Sequence, residues 1–552
     1  MKRTCKVSGI EFEITDKDLQ FYQMLGVAPP TLCPDERCRR RLSWQNMSQL
    51  YRRKCDATGK HVISNISEEK PFPVYDQPYW WSDEWDFRKY GRDFDFTRTF
   101  YENFSDLLQV VPHPNLATSY LLDENSEYTN YAGGNKNCYL IFHADMNRDC
   151  LYGVGIKKCV DVLDALHTHG SELLYECVDC RNSYGLKFCE DCENCSDGWF
   201  LKNCLGCRNC FGCTNLRQKE GYLFNKQVTT EEYRAFIDSF QSGQYATVSS
   251  MRVKFREFVQ AQAQRGFQGY QNDDVSGDQI FRSKDTFESF DVQESRDMKF
   301  CHRVYNGPNS DCYDMNEYGM QIQKVYEGLA IGINAYNVAC CIFVNEQVSD
   351  VAYSMHVHHA QDIFGCISVP RGQYCILNKQ YSKVEYLALR AKIVEHMRDT
   401  EELGEFFPVE LSPFGYNETV ASEYFPLDKK DVEARGWKWK DEQALSSKKQ
   451  SYSIPDDIAD VGDDILEQVL CCTNTGKNYK IQKAELDFYR KMKLPIPRHC
   501  YHERHRERFH YRNPRRLFAR NCDQCRAPIQ TSFASDRVET VLCEGCYEQM
   551  FQ

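Results

Sequence analysis

Residues 5–79 of this chain return, without a gap, as residues 472–546. A shift of 467 positions lays Cys5 on Cys472, Gly9 on Gly476, Phe21-Tyr22 on Phe488-Tyr489, Cys33 on Cys500 and Cys55 on Cys522. Glu36-Arg37, Arg39, Arg41 and Asn46 fall in the same way on Glu503-Arg504, Arg506, Arg508 and Asn513. A register held over that distance marks a duplicated module, and any fold has to place one copy at each end of the chain. The copies also act as a control on each other, because a metal ligand and a core residue diverge by different rules.

The centre is duplicated too. Phe211-Gly212-Cys213, Asn225-Lys226-Gln227 and Tyr233 recur 153 residues later as Phe364-Gly365-Cys366, Asn378-Lys379-Gln380 and Tyr386. Within the first copy Cys177, Cys192 and Cys207 stand 15 apart, as do Cys180, Cys195 and Cys210, and Tyr184 and Trp199 keep the same step. A short fixed period of Asn, Asp, Gly and Ser beside Cys, Val, Phe and Tyr reads as a parallel β-solenoid with coils of about 15 residues. The expected fold is therefore mostly β: a solenoid in two duplicated halves with helical segments, flanked by zinc-ribbon or treble-clef modules. The boundaries are 1–80 for the first module, 81–125 for an aromatic connector, and 126–228 for the first solenoid half. A helical linker at 229–275, the second half at 276–381, a helix and connector at 382–467 and the last module at 468–552 complete the chain.

Twenty-nine cysteines in 552 residues would be a disulfide framework in a secreted chain. Here no signal-like apolar stretch opens the sequence and no long uncharged apolar run occurs, so the expectation is a cytoplasmic protein without membrane spans, its thiols reduced. The strongest chemical motif is Cys522-x2-Cys525 followed by Cys543-x2-Cys546, two knuckles that can close a tetrahedral thiolate cage around one structural Zn2+. Opposite these stand Cys55, Thr58, Asp76 and Tyr79, so three ligands have gone as a set while Val62 and Val74 still match Ile529 and Val541. The first copy of that site is expected to be metal-free. A second site in each module is incomplete. Cys5, Cys33 and Cys38 face Cys472, Cys500 and His505, and a Cys-to-His exchange is one that zinc ligation tolerates. These residues form either three-ligand zinc sites completed by a carboxylate or water, or decayed structural sites.

Twelve further cysteines lie between 138 and 213. Their counterparts at the 153-residue offset are largely Ala, Val and Ile, including Ala330 for Cys177, Ile333 for Cys180, Val348 for Cys195, Val357 for Cys204, Ala360 for Cys207 and Ile363 for Cys210. That exchange is expected of small core residues, not of a metal or iron–sulfur array. His356-x-His358-His359 is read as surface or hydrogen-bonded histidine.

The net charge of −12 hides basic ends: residues 470–520 hold 14 Lys and Arg against 4 Asp and Glu, and residues 33–60 hold 8 against 3. Arg504, Arg506, Arg508, Arg512, Arg515 and Arg516 interleave with aromatic residues, a pattern suited to gripping phosphates and stacking bases. Nucleic acid, RNA in particular, is the expected partner; pairing with an acidic solenoid face is the alternative, and a protein-docking adaptor is a further one. No catalytic constellation stands out. A carbohydrate-active solenoid would need clustered carboxylates, and Glu190, Asp191, Glu193, Asp311, Asp314 and Glu317 sit at turn-like positions instead. The expectation leans away from an enzyme.

The stretches TLCPDERCRRRL, KCDATGKHVIS, WWSDEWD, ENSEYTNYAGGNKNCYLIF, NCFGCTNLRQKE, SPFGYNETVASEYFPL and NCDQCRAPIQ span nearly the whole chain. In them it resembles an uncharacterised family of Cys-rich, zinc-ribbon-bearing proteins from small-genome uncultured bacteria. The resemblance implies cytoplasmic zinc binding and carries no activity with it. Asp76 and Tyr79, in place of cysteines, depart from that pattern.

Overall fold

The repeating unit of the centre is three residues long. In the computed structural model, which describes residues 1–305, 307–317, 319–340, 342–344, 347–441, 450 and 452–551, every third residue from Asn137 to Phe224 has a positive φ. Asn, Asp and Gly, which tolerate this left-handed conformation best, fill most of these bends: Asn137, Asp149, Asp161, Asp164, Gly170, Asp179, Asn182 and Gly185 among them. The residue after each bend turns inward, and this is the register of Cys138, Ile141, Ala144, Cys150, Cys177, Cys180, Leu186, Cys189 and Cys192, all buried in one cluster.

Parallel bridges tie Glu172 to Tyr184, Tyr184 to Ser196 and Ser196 to Arg208, and Arg208 pairs with Glu220. The backbone thus advances one rung every twelve residues with four bends per rung. The expected 15-residue coil is corrected by this register. Any multiple of three repeats the inward pattern, so a step of 15 returns a cysteine to the interior on the next side round, not on the rung above.

Why thiols fill this interior follows from the bends. Inward-lying backbone carbonyls accept one N–H from the neighbouring rung and keep a second lone pair, which a small side chain with one donor can reach. Cys159 Sγ donates to Thr168 O at 3.3 Å, Cys195 Sγ to Cys204 O at 3.3 Å and Cys180 Sγ to Cys189 O at 3.5 Å. Ser183 Oγ does the same with Arg181 O at 2.8 Å. Cysteine combines the volume of a small hydrophobe with a weak donor, and a buried carbonyl asks for both.

The second half builds a twelve-stranded, mainly parallel sheet from Gly269 to Gln380. Its rungs are less even. The register step is 12 from Lys284 to Arg296, 14 from Arg296 to Ser310, 13 from Ser310 to Gln323 and 12 again from Gln361 to Gln373. The offset between halves therefore drifts along the chain, and a constant 153 is right only toward the end. Val348, Val357, Ala360 and Ile363 do occupy the second interior opposite Cys195, Cys204, Cys207 and Cys210. Ala330 sits instead on a bend with φ 54°, and Ile333 is only half-buried; the interior positions nearby are Ile331 and Ala335.

Each half is led in by a short strand that pairs with a module. Val74–Tyr75 of the first module pairs with His113–Pro114, and Val541–Leu542 of the last with Gln264–Arg265. The helices of the modules cross over. Pro34–Leu42 packs on the second half and Tyr501–His510 on the first. Each module thus touches both halves, and the chain is latched at both ends. Helices Thr230–Ser239, Tyr245–Gln260 and Lys383–Asp399 follow the two halves, and Phe100–Leu108 precedes the first. No helix among the described residues is long and apolar enough to cross a membrane.

The lead-in strands carry a testable difference. His113 is buried with Nε2 3.3 Å from Leu108 O, and its counterpart Gln264 donates from Nε2 to Val259 O at 2.9 Å. Burial, with Arg53 adding to it, holds His113 down to about 4, so the folded state favours the neutral ring. Its contribution is complete above the unfolded value near 6.5 and is lost as pH falls from there through about 4. We expect His113→Gln, which copies the other half, to keep the bond and remove up to roughly 3 kcal/mol of the stability lost between pH 7 and pH 4. Urea midpoints at several pH values would show it, and an unchanged pH slope in the variant would sink the assignment.

Candidate metal centre and buried arginine seams

The Cys522, Cys525, Cys543 and Cys546 sulfurs all lie within 4.8 Å of one another, and Cys525 Sγ is 3.7 Å from Cys543 Sγ. A tetrahedral metal with bonds of about 2.3 Å to sulfur spaces its ligands by roughly 3.8 Å, so the four thiols fit a thiolate-bound ion. The two knuckles are the hairpin Phe518–Asn521 with Pro528–Thr531, and the start of helix Glu544–Phe551. Burial opposes ionisation of Cys522, but backbone N–H groups of Cys543, Cys525 and Gln524 overcome it and bring the thiol down to about 6. Four thiolate ligands leave no open position for chemistry.

The first module keeps the frame without the ligands. Cys543 N–H donates to Cys522 Sγ at 3.3 Å, and Asp76 N–H donates to Cys55 Sγ at 3.3 Å. Val541 N–H meets Asp523 Oδ2 at 2.7 Å, as Val74 N–H meets Asp56 Oδ2 at 2.7 Å. Where the last module has a second thiol pair, Thr58 Oγ1 donates to Asp76 Oδ2 at 3.1 Å and Asp76 Oδ1 accepts from Tyr79 N–H at 2.9 Å. Direct hydrogen bonds there join the two knuckles that sulfur atoms bring together in the copy. Trp80 and Trp81 pack beside them, and His358 lies 4.6 Å from the Trp81 ring.

The three-ligand sites do not assemble. Cys5 and Cys33 are drawn together by Ser8, whose N–H is 3.5 Å from Cys5 Sγ and whose Oγ is 3.6 Å from Cys33 Sγ. Cys472 and Cys500 are arranged alike around Thr475, 3.9 Å from Cys500 Sγ. Cys38 and His505 are elsewhere: Cys38 Sγ is 3.5 Å from His302 Nδ1 in the second half, and His505 packs between Tyr501 and Phe509 with Nε2 3.7 Å from Glu423. Cys33 and Cys500 cap their helices, so five residues at about 100° each carry Cys38 and His505 to another face. The carboxylates are taken too, Glu36 by Arg39 at 2.8 Å and Glu503 by Arg506 at 2.7 Å.

Four of the six arginines read as a phosphate grip turn inward. Arg504 and Arg508 converge on Asp164 at 3.1 and 2.9 Å, and Arg504 also reaches Glu485 at 3.4 Å. Arg512 binds Asp179 at 2.7 Å and also Asp291, and Arg515 reaches Asp291 at 2.8 Å. The physical reason is local: Arg504 and Arg508 share the face of helix Tyr501–His510 that is pressed on the rungs, Arg512 and Arg515 follow in the segment just after it, and the bends of the rungs present the carboxylates. Arg506 and Arg516 stay exposed, the former paired with Glu503 and the latter over the Phe518 ring. The first module repeats the arrangement on the second half. Arg37 binds Asp314 at 2.9 Å, Arg41 reaches Asp314 at 3.2 Å and Asn316 at 2.6 Å, and Arg40 bridges Glu327 and Glu405 at 2.6 Å each. Aromatic contacts match as well, with Tyr22 on Tyr326 and Tyr489 on Tyr175.

Sequence reasoning missed these acceptors. Asp164 and Asp314 are 150 apart and Glu176 and Glu327 are 151 apart, and a fixed offset of 153 passes over both pairs. His167, Asp179 and Asp291 also bring ligand atoms within 4.8 Å, yet Arg512 already bridges the two carboxylates as their cation. Among the described residues the interior thiols of the first half form no group of three at that distance.

Comparison with known proteins adds little. No family model and no curated protein matches the chain. Among solved structures, one from Desulfovibrio desulfuricans G20, described as a "putative acetyltransferase", aligns over 48% of this chain and 69% of its own at 9% identity, with a TM-score of 0.10. A likeness at that level carries no argument about fold or activity.

Proposed function

We propose that the chain is a zinc-stapled β-solenoid scaffold, closed by its own terminal modules, and that the arginine helices serve as internal latches in place of a nucleic-acid grip. The observation that carries this reading is the burial of Arg504, Arg508, Arg512 and Arg515 against Asp164, Asp179 and Asp291. A guanidinium held between buried carboxylates is not available to phosphate, and displacing it would leave those carboxylates uncompensated in a low-dielectric seam. Twelve-residue rungs with four bends supply the solenoid, and the thiolate cage supplies the staple, for which zinc is the metal of choice among all-thiolate structural sites. The reading remains that of a binding or docking protein in the cytoplasm. Of the arginine run only Arg506 and Arg516 are left exposed for an RNA contact, beside exposed lysines such as Lys477, Lys480 and Lys483.

Purification at low and at high salt tests it. About one zinc per chain is expected at both, together with an absorbance spectrum free of nucleic acid. Nucleic acid retained at low salt and shed at high salt would return the arginine run to the surface and overturn the latch.

A further inference from the structure

A cavity of about 320 Å3 opens where the first half, the lead-in to the second, helix Tyr245–Gln260 and the last module meet. Ligand cavities of about 300 Å3 upward are the usual size for small molecules. Its wall carries six carboxylates and five cations. The cations are committed: Lys202 and Arg256 to Glu190, Arg512 and Arg515 to Asp291, and Arg537 to Glu539. Two carboxylates are held by neutral donors instead. Asp191 accepts from Gln279 Nε2 at 2.7 Å, and Asp278 accepts from Ser532 Oγ and from the N–H groups of Gln268 and Gln279 at 2.8 and 3.0 Å.

The duplicated copy shows that the fold does not require charged groups at these positions. The positions matching Tyr511, Arg512, Phe533 and Glu539 are Trp44, Gln45, Ile66 and Phe72, every one of them buried. Across from them, following the rung register, Ala330 stands for Asp179 and Ile342 for Glu190. The connector after the second half packs against Trp44 and Gln45: Phe407 lies 5.4 Å from the Trp44 ring, and Val420 N–H bonds Gln45 O at 3.0 Å. The hollow on that side of the first copy, about 650 Å3 and lined by Trp80, Trp81, Ala117, Tyr131, His143 and Ala330, is mainly aromatic and apolar, while this one is walled by charged groups that packing alone does not explain.

We propose that this cavity binds a small organic cation, an amine of polyamine size whose ammonium group is met by Asp191 and Asp278. The electrostatics agree. Burial raises both carboxyls, and with neighbouring Asp191 and Asp291 opposing Arg512 it pushes Asp179 up to about 7. An added positive charge would draw these groups back to the ionised form, so binding should release protons near neutral pH. The inference does not depend on the metal reading.

Calorimetric titration of the full-length, metal-loaded protein tests it, with spermidine and the neutral polyol sorbitol as probes in two buffers of different protonation enthalpy. The expected result is saturable spermidine binding with proton release and no sorbitol binding. Asp191→Asn should weaken it tenfold or more, and Gln268→Trp should abolish it by filling the space, both with unchanged circular dichroism. Spermidine heats that do not saturate, or that are equal in wild type and both variants, would mean attraction to an acidic chain and would overturn the proposal. So would saturable binding of sorbitol alone.

Discussion

Asp164→Asn is expected to destabilise the chain by about 3–5 kcal/mol, the cost of stranding a buried charge by removing its partner. Asp164 is fully buried, and both Arg504 and Arg508 close on it. An amide can still accept a hydrogen bond, but it cannot balance two guanidinium groups inside a seam without water. The same loss is expected from Asp314→Asn, which strands Arg37 and Arg41 in the other copy. Adding Arg508→Met to Asp164→Asn should recover part of the loss, since removing both charges is far cheaper than removing one. Arg506→Ala, in the same helix but 63% exposed, should stay within about 0.5 kcal/mol. Urea denaturation would read all four. A loss below about 1 kcal/mol for Asp164→Asn would mean that the helix leaves the rungs easily, and the latch would not stand.

The second large effect is expected at the metal centre. Cys525→Ser, or a chelator, should take the metal content from about one ion per chain to near zero and release the last module to protease within residues 518–551. Residues 518–551 have a small apolar cluster of their own, built on Cys522, Leu542, Cys546 and Tyr547, so a bound metal would supply most of the folding free energy of this part. Structural zinc contributes on the order of 10 kcal/mol in small isolated modules; here packing on Gln264–Arg265 offsets part of its loss. Thr58→Ala in the first module should leave metal content unchanged and cost about 1 kcal/mol, the worth of one hydrogen bond to Asp76. Equal metal loss from both variants would show that the first site also binds an ion and would falsify the contrast between the copies.

How much of this was legible beforehand differs by residue. The thiolate cage needed no structure, since ligand spacing within a knuckle is local and the copy at Cys55 showed what its loss looks like. The core role of the thiols was readable from Val348, Val357, Ala360 and Ile363, because replacement by aliphatic residues reports burial directly. The coil length was not readable. An inward residue every third position is compatible with any rung that is a multiple of three, and only hydrogen-bond register between rungs distinguishes twelve from fifteen. Cys38 and His505 misled for a related reason: their exchange looked like ligation, yet the helices that begin at Cys33 and Cys500 turn Cys38 toward His302 of the second half and His505 toward Glu423 of the connector.

The sequence by itself determined the local chemistry: two copies of a module, one complete set of four paired cysteines, an interior of small residues and a basic run at each end. Only the tertiary structure decided that those runs contain helices and where their arginines point. An arginine run has the same composition whether it faces water or a row of buried carboxylates, and its partners Asp164, Asp179 and Asp291 are more than two hundred residues away along the chain. Charge complementarity across such a distance leaves no periodicity to read. It exists only once the rungs have stacked and each module has crossed to the opposite half.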